Sequence, residues 1–244
     1  MELEDRRNLK KETILNILFP RCCPVCGEIV KPAGRLICPS CFQELSFVSP
    51  PVCKKCGKEI LDETMEFCED CMVHRHAFEY GVALLNYDEA ARRSMSQIKY
   101  YNKREYLDFY GAAISARYET LIRRWNVDAI VPIPVHPSRR RKRGFNQAEV
   151  LAQIIGERLG IRVLPDLLVR TKRTMPQKEL SAAERLKNLS GAFAAGASHP
   201  EIRRILLVDD IYTTGSTIEA CSRVLRSAGA ECIYFVVICM TGGR

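Results

Sequence analysis

The chain has 244 residues, 47% of them hydrophobic and 27% charged, with a formal net charge of +8 and a pI near 8.9. These values describe a soluble globular protein of one larger domain or two, with room for a sizeable core, and no apolar run approaches the roughly 20 residues needed to span a bilayer. The basic balance favours acidic partners such as nucleotides or nucleic acid, and would equally serve solubility.

The N-terminus, MELEDRRNLKKE, is too charged for a secretory signal, so a cytoplasmic protein is expected. Residues 8–19 place Leu9, Ile14, Leu15, Ile17 and Leu18 largely along one helical face until Pro20 stops the pattern, which predicts an amphipathic N-terminal helix within residues 1–20. Without a signal peptide the 12 cysteines read as metal chemistry rather than disulfides, and nine of them precede residue 72. They form four CxxC pairs, Cys23/Cys26, Cys38/Cys41, Cys53/Cys56 and Cys68/Cys71, each starting 15 residues after the last.

A CxxC knuckle presents two thiolates at a spacing that tetrahedral Zn²⁺ accepts, and Gly27 and Gly57 supply the backbone freedom such turns need. Four pairs imply two structural zinc ions and a double zinc ribbon over 21–75. Iron–sulfur ligation is the other chemistry open to such pairs. A segment this poor in large apolar side chains cannot fold on its own core, so metal ligation, worth about 10–16 kcal/mol per site, must carry much of its stability. Equal spacing fits both sequential pairing and a cross-braced one; sequential pairing is favoured. Cys22 is spare, and His74 and His76 are expected just outside the ribbon. Lys31, Arg35, Phe42, Phe47, Lys54, Lys55 and Lys58 are candidates for contact with a single nucleic-acid strand, or form a solvated face over a minimal core.

After the ribbon a domain over 76–244 is expected. Residues 77–88 read as its first strand, and 88–100 and 104–124 as two helices, the first ending at Lys99, where an ammonium can face an anion. The segment VDAIVPIPVHP begins as a buried strand and leaves the sheet at Pro132 and Pro134, because proline cannot continue a central strand. The basic run Arg139 to Arg143 is expected in the loop that follows, with Arg143 the candidate that faces a ligand. Asn146 with Glu149 reads as a capping box for a helix ending at Gly160. Residues 161–169 read as a strand, and the polar stretch that follows, with Arg170, Lys172, Gln177, Arg185 and Asn188, as a lid or binding loop.

The run Ile205 to Val208 has the continuous apolar character of a strand buried on both faces, and ends on Asp209 and Asp210. Next come the small residues Thr213, Thr214, Gly215, Ser216 and Thr217, then a helical pattern to Gly229, then a closing strand over 231–240. The first amides of a helix are unpaired donors, so a phosphate is expected there. Adjacent carboxylates suit sugar hydroxyls and Mg²⁺, a hard cation that prefers oxygen ligands. Phosphate, sugar and metal together suggest a phosphorylated ribose. Cys221, Cys232 and Cys239 read as small buried hydrophobes.

The stretch LLVDDIYTTGST resembles the phosphoribosyl-pyrophosphate (PRPP) loop of type I phosphoribosyltransferases, except that Thr213 stands where purine-salvage members carry an acid. Together with VPIPVHPSRRRKRGFNQAE, RTKRTMPQKELSAAERLKNLSGAF and the paired cysteines, it resembles the ComF family over nearly the whole chain. The resemblance implies a mostly parallel α/β sheet of the type I phosphoribosyltransferase kind behind a small zinc-ribbon domain, in a protein tied to DNA uptake and natural competence. PRPP, single-stranded DNA and DNA-uptake proteins are the partners it implies. It also implies that Asp209 and Asp210 hold ribose and Mg²⁺, that residues 213–217 hold the 5′-phosphate, and that Arg143 with the 170–188 loop, Lys172 included, stabilises the leaving pyrophosphate; Lys99 is a further substrate-binding candidate.

Overall fold

A computed structural model of the chain describes residues 20–171 and 191–242. The N-terminal helix expected before Pro20, and Lys172, Gln177, Arg185 and Asn188 of the expected lid, lie outside these residues.

Two similar small units come first. In each, the first knuckle turns at a glycine of positive φ, Gly27 (80°) or Gly57 (74°), and its amide donates to the carbonyl of Cys23 or Cys53 at 2.9 Å. The second pair of each unit opens a short helix, α1 (Pro39–Gln43) after Cys38 and α2 (Glu69–Val73) after Cys68.

The rest is built on a four-stranded parallel sheet of β1 (Tyr80–Asn86), β2 (Ala129–Pro132), β5 (Arg204–Tyr212) and β6 (Cys232–Met240), in the order β1-β6-β5-β2. Strands buried on both faces need the near-continuous apolar runs seen in VALL, AIV, ILLV and FVVIC. Alternation then sorts the side chains. Val82, Leu84, Ile130, Leu206, Val208 and Val236 share one core with helices α3 (Glu89–Tyr100), α4 (Tyr106–Trp125) and α6 (Gln147–Leu159). Ala83, Val131, Ile205, Leu207, Phe235 and Val237 share the other with α7 (Ser216–Ser227) and the antiparallel pair β3 (Leu168–Arg170) and β4 (Phe193–Ala195). The first cysteine unit contributes Cys23, Val30, Ile37 and Cys41 to the first core, and the second contributes Cys53, Cys56 and Cys68 to the second.

Three expectations change. Residues 161–169 do not form a sheet strand: Val163 makes one parallel bridge to Ile130, and only Leu168–Arg170 is extended, paired outside the main sheet. The run Arg139 to Arg143 is not a loop but lies in a short helix, α5 (Pro137–Arg143), because Pro137 fits its first turn, the His136 side chain accepts from the Ser138 amide, and Gly144 (φ 83°) closes it. Asn146 caps α6 as expected, but Glu149 pairs with Arg140 at 3.2 Å instead of closing a capping box. Among the described residues no helix is long and apolar enough to cross a membrane.

Candidate functional site

β2 and β5 stay in register only as far as Pro132 opposite Val208, after which the proline-interrupted chain turns away and β5 continues along β6 alone as far as Tyr212. Asp209 and Asp210 lie near the carboxyl end of β5, which runs on for two more residues, at the rim where one neighbour has left.

Period-two alternation sends the two carboxylates to opposite sides of the strand. Asp210 is buried, 5% exposed, on the helix α3 side, where the Lys99 ammonium lies 2.6 Å from its Oδ2. Burial by itself would lower the Lys99 pKa, and the Asp210 carboxylate outweighs it, so the net direction is up. Arg143, at the end of α5, donates from Nε to the Lys99 carbonyl at 3.0 Å and from its guanidinium to the Gln147 side chain. Burial lowers its pKa, opposed mainly by Asp210. Lys99, Arg143 and Asp210, far apart in sequence, thus meet at one point.

Asp209 faces the α7 side, where its charge acts on Cys221 and on Arg170. Its Oδ1 accepts the Asp210 amide at 2.8 Å. Burial, and then the neighbouring Asp210 charge, push its carboxyl up to about 8. Arg170, stacked on Phe193 at 5.1 Å, and Arg139 add positive charge near this rim.

The small-residue turn follows. Gly215 adopts φ 72° at the N-cap of α7, with no side-chain cap on that helix start. A Cβ at this position would lie 2.3 Å from the Tyr212 hydroxyl, so any other residue would have to displace that buried ring. Thr214 and Ser216 hydroxyls bond each other at 2.8 Å, and Thr241, just after β6, donates its amide to the Tyr212 carbonyl at 2.9 Å and its hydroxyl to that of Thr213 at 3.3 Å. The arrangement is a helix start without a side-chain cap beside one protonatable carboxyl and an ion-paired one. Chemically it can hold an oxyanion at the helix and a cation or sugar hydroxyls at the acids.

The eight knuckle cysteines gather as Cys23/Cys26/Cys38/Cys41 and Cys53/Cys56/Cys68/Cys71, with the ligand atoms of each set within 4.8 Å of one another. Pairing is sequential. The Sγ atoms of Cys56 and Cys68 are 3.7 Å apart, close to the ~3.8 Å edge of a tetrahedron with Zn–S bonds of about 2.3 Å. Both sets fit zinc. Cys22 stays outside them, 3.9 Å from Lys103 Nζ, and Cys221 and Cys239 are buried while Cys232 is only partly so. Of the ribbon residues considered for nucleic acid, Phe47 packs on Phe42 at 5.2 Å against the first core and Lys54 pairs with Glu66, whereas Lys31 and Arg35 remain exposed.

Residue patterning missed three participants. Tyr212, 2% exposed, stacks on Phe235 at 5.0 Å and holds its hydroxyl under Gly215, unpartnered among the described residues. Gln147 orients Arg143. Glu219, in the first turn of α7, is 6% exposed, and its pKa sits at about 2: burial would raise it, but His76, the Ala77 amide and Arg223 together pull it down. An acid on the buried face of an amphipathic helix was the one signal available for it.

Comparison with known proteins follows the same division. The double zinc ribbon domain family matches residues 14–72, and the phosphoribosyl transferase domain family matches residues 100–244. Competence protein F of Haemophilus influenzae is 42% identical over 106 residues, 43% of this chain and 46% of that protein, so the match spans about half of that relative's length. DNA utilization protein YhgH of Salmonella typhimurium is 28% identical over 227 residues, 90% of each chain, and competence protein ComFC of Streptococcus pneumoniae is 29% identical over 216 residues, 86% of this chain and 83% of that one.

Proposed function

The chain belongs to the phosphoribosyl transferase domain family, and from that premise we propose that it binds Mg²⁺–PRPP at the rim of the sheet and transfers the phosphoribosyl group to an acceptor in DNA uptake. The observation that carries this reading is the meeting of Asp209, Asp210, Lys99 and Arg143 beside the uncapped start of α7. Each part of PRPP then has a counterpart.

The 5′-phosphate is taken by the turn Thr213, Thr214, Gly215, Ser216 and Thr217, whose amides and hydroxyls donate to its oxygens. The ribose hydroxyls and Mg²⁺ fall to Asp209 and Asp210; a bound divalent cation would supply charge neutralisation for the pyrophosphate. Arg143 and Lys99 meet the departing pyrophosphate. As the bond from the anomeric carbon to pyrophosphate lengthens, positive charge on the ribosyl group is stabilised by Asp209 and negative charge on the leaving group by the cations, an electrostatic form of catalysis. The acceptor then bonds to the anomeric carbon and releases a proton. Zinc stays structural. In this reading the setting is cytoplasmic, with single-stranded DNA and uptake-machinery proteins as partners; relatives named for competence and DNA utilization support the link to DNA uptake.

One observation favours a second reading, in which PRPP or a nucleotide is sensed without turnover. Asp210 is already neutralised by Lys99, and no carboxylate stands at Thr213 to assist an acceptor. Pyrophosphate release from PRPP and Mg²⁺, measured with and without single-stranded DNA or nucleobases, separates the two. Release is expected; PRPP binding without release under every condition would leave only the sensing role.

A further inference from the structure

The second cysteine unit is built directly against the back of the phosphate turn. Under Gly215 lies Tyr212, whose ring stacks on Phe235; Phe235 meets Phe78 edge-on at 5.0 Å, and Phe78 stacks under His76 at 4.7 Å. Lys55, inside the Cys53–Cys56 knuckle, holds its ammonium 5.4 Å from the Phe78 ring centre and accepts the Gly81 amide on its carbonyl at 3.1 Å. A polar chain runs beside this aromatic one. Glu219 Oε2 accepts from the Ala77 amide at 2.9 Å and faces His76 Nδ1 at 3.3 Å, and Asp70 Oδ2 lies 3.6 Å from His76 Nε2. Asp70 immediately precedes the zinc ligand Cys71.

Glu219 is an unexpected residue for an anion site. It puts a buried negative charge one turn from the amides that would receive a phosphate, where like charges repel. A carboxylate here makes sense as a strut: it fixes the first turn of α7 to His76 and the Ala77 amide, and so to the chain that runs on from the metal site. Partners behind metal ligands commonly orient those ligands, and the same contacts can work outward from the metal.

We propose that Glu219 and His76 are positioning residues through which the second four-cysteine site holds the phosphate turn in its binding shape. Emptying Cys53, Cys56, Cys68 and Cys71 of metal should then loosen residues 213–217. This inference rests on the phosphate reading of residues 213–217.

The test uses the full-length, zinc-loaded protein and ribose 5-phosphate as the calorimetric probe. His76→Ala, His76→Asn and Glu219→Gln are each first checked for two zinc atoms per chain. His76→Ala is expected to weaken binding about tenfold, the lower end of the effect of losing such an outer partner. His76→Asn, whose side-chain amide sits where Nδ1 does and can still donate to Glu219, should bind nearly as the parent does. Glu219→Gln removes a negative charge beside the helix start, which alone would tighten an anion; weaker binding is expected if the carboxylate positions the turn. Two-zinc variants His76→Ala and Glu219→Gln that bind as well as or better than the parent overturn the proposal.

Hydrogen exchange at amides 213–217 gives an independent readout, expected to quicken in both variants and in protein stripped of the second zinc. Unchanged exchange in both variants also overturns it. If the parent chain binds no ribose 5-phosphate, the phosphate reading fails, and the exchange rates still decide the coupling. Should His76→Ala not fold, Glu219→Gln and metal removal carry the decision.

Discussion

At the scale of single residues, two positions bear most of the weight. Gly215 combines a positive φ with a 2.3 Å approach to the Tyr212 hydroxyl, so Gly215→Ala meets both left-handed strain of about 1–2 kcal/mol and a steric overlap. We expect that variant to lose PRPP binding and to melt several degrees lower, as checked by calorimetry. Asp209 carries the second. Its folded carboxyl titrates near 8, well above the ordinary range near 4, so between those values the folded state holds a proton that the unfolded state has released. Stability of the ligand-free protein should therefore be full at low pH, fall as pH rises, and level off above about 8. Asp209→Asn should flatten that slope in urea titrations at successive pH values, and Mg²⁺–PRPP, which needs the carboxylate, should bind more tightly as pH rises through the same window.

At the scale of elements, the junction of α3 with β5 depends on Lys99 and Asp210, both largely buried. Removing one partner of a buried pair leaves a charge without compensation, so Lys99→Met should cost about 3–5 kcal/mol, whereas Lys99→Met with Asp210→Leu should recover most of it. A double-mutant cycle by chemical denaturation measures the difference. The elements themselves were largely legible: β5, β6, α3, α6 and α7 follow from apolar runs, helical periods, the Asn146 cap and the glycine stops, and the structure adds Asp88 as the cap of α3. What was not legible was the state of the basic run and of 161–169. A stretch of five cations has no hydrophobic period, so only the His136 and Pro137 start makes it helical. Residues 161–169 are apolar enough for a strand, yet β2 already offers its edge to a single bridge at Val163, and local sequence cannot show how much edge remains.

At the scale of the whole molecule, the two cysteine units are not appendages, since each contributes side chains to a different core on either side of one sheet. Mutating Cys23, Cys26, Cys38 and Cys41 together to serine should remove one zinc and leave the other, as read by elemental analysis; loss of both would contradict the sequential pairing. Residues 76–244 expressed alone should be poorly soluble, because Val82, Phe78 and their neighbours would lose the apolar cover that the units provide, at roughly 25 cal/mol for each Å² exposed. Light scattering against the intact chain tests this.

The sequence by itself determined the chemistry and its local frames: four knuckles at equal spacing, a buried strand closing on two acids, and a glycine turn opening a helix. These are short-range features, set by backbone propensity and by which side chains can bind metal or phosphate. Only the tertiary structure decided which long-range partners meet. It sends Asp209 and Asp210 to opposite sides of β5, gives Asp210 to Lys99, and sets Glu219 against His76 across 143 positions of sequence. The reason is physical: a pair of contacts so far apart along the chain is fixed by the packing of the sheet and its two faces, which no window of local sequence contains.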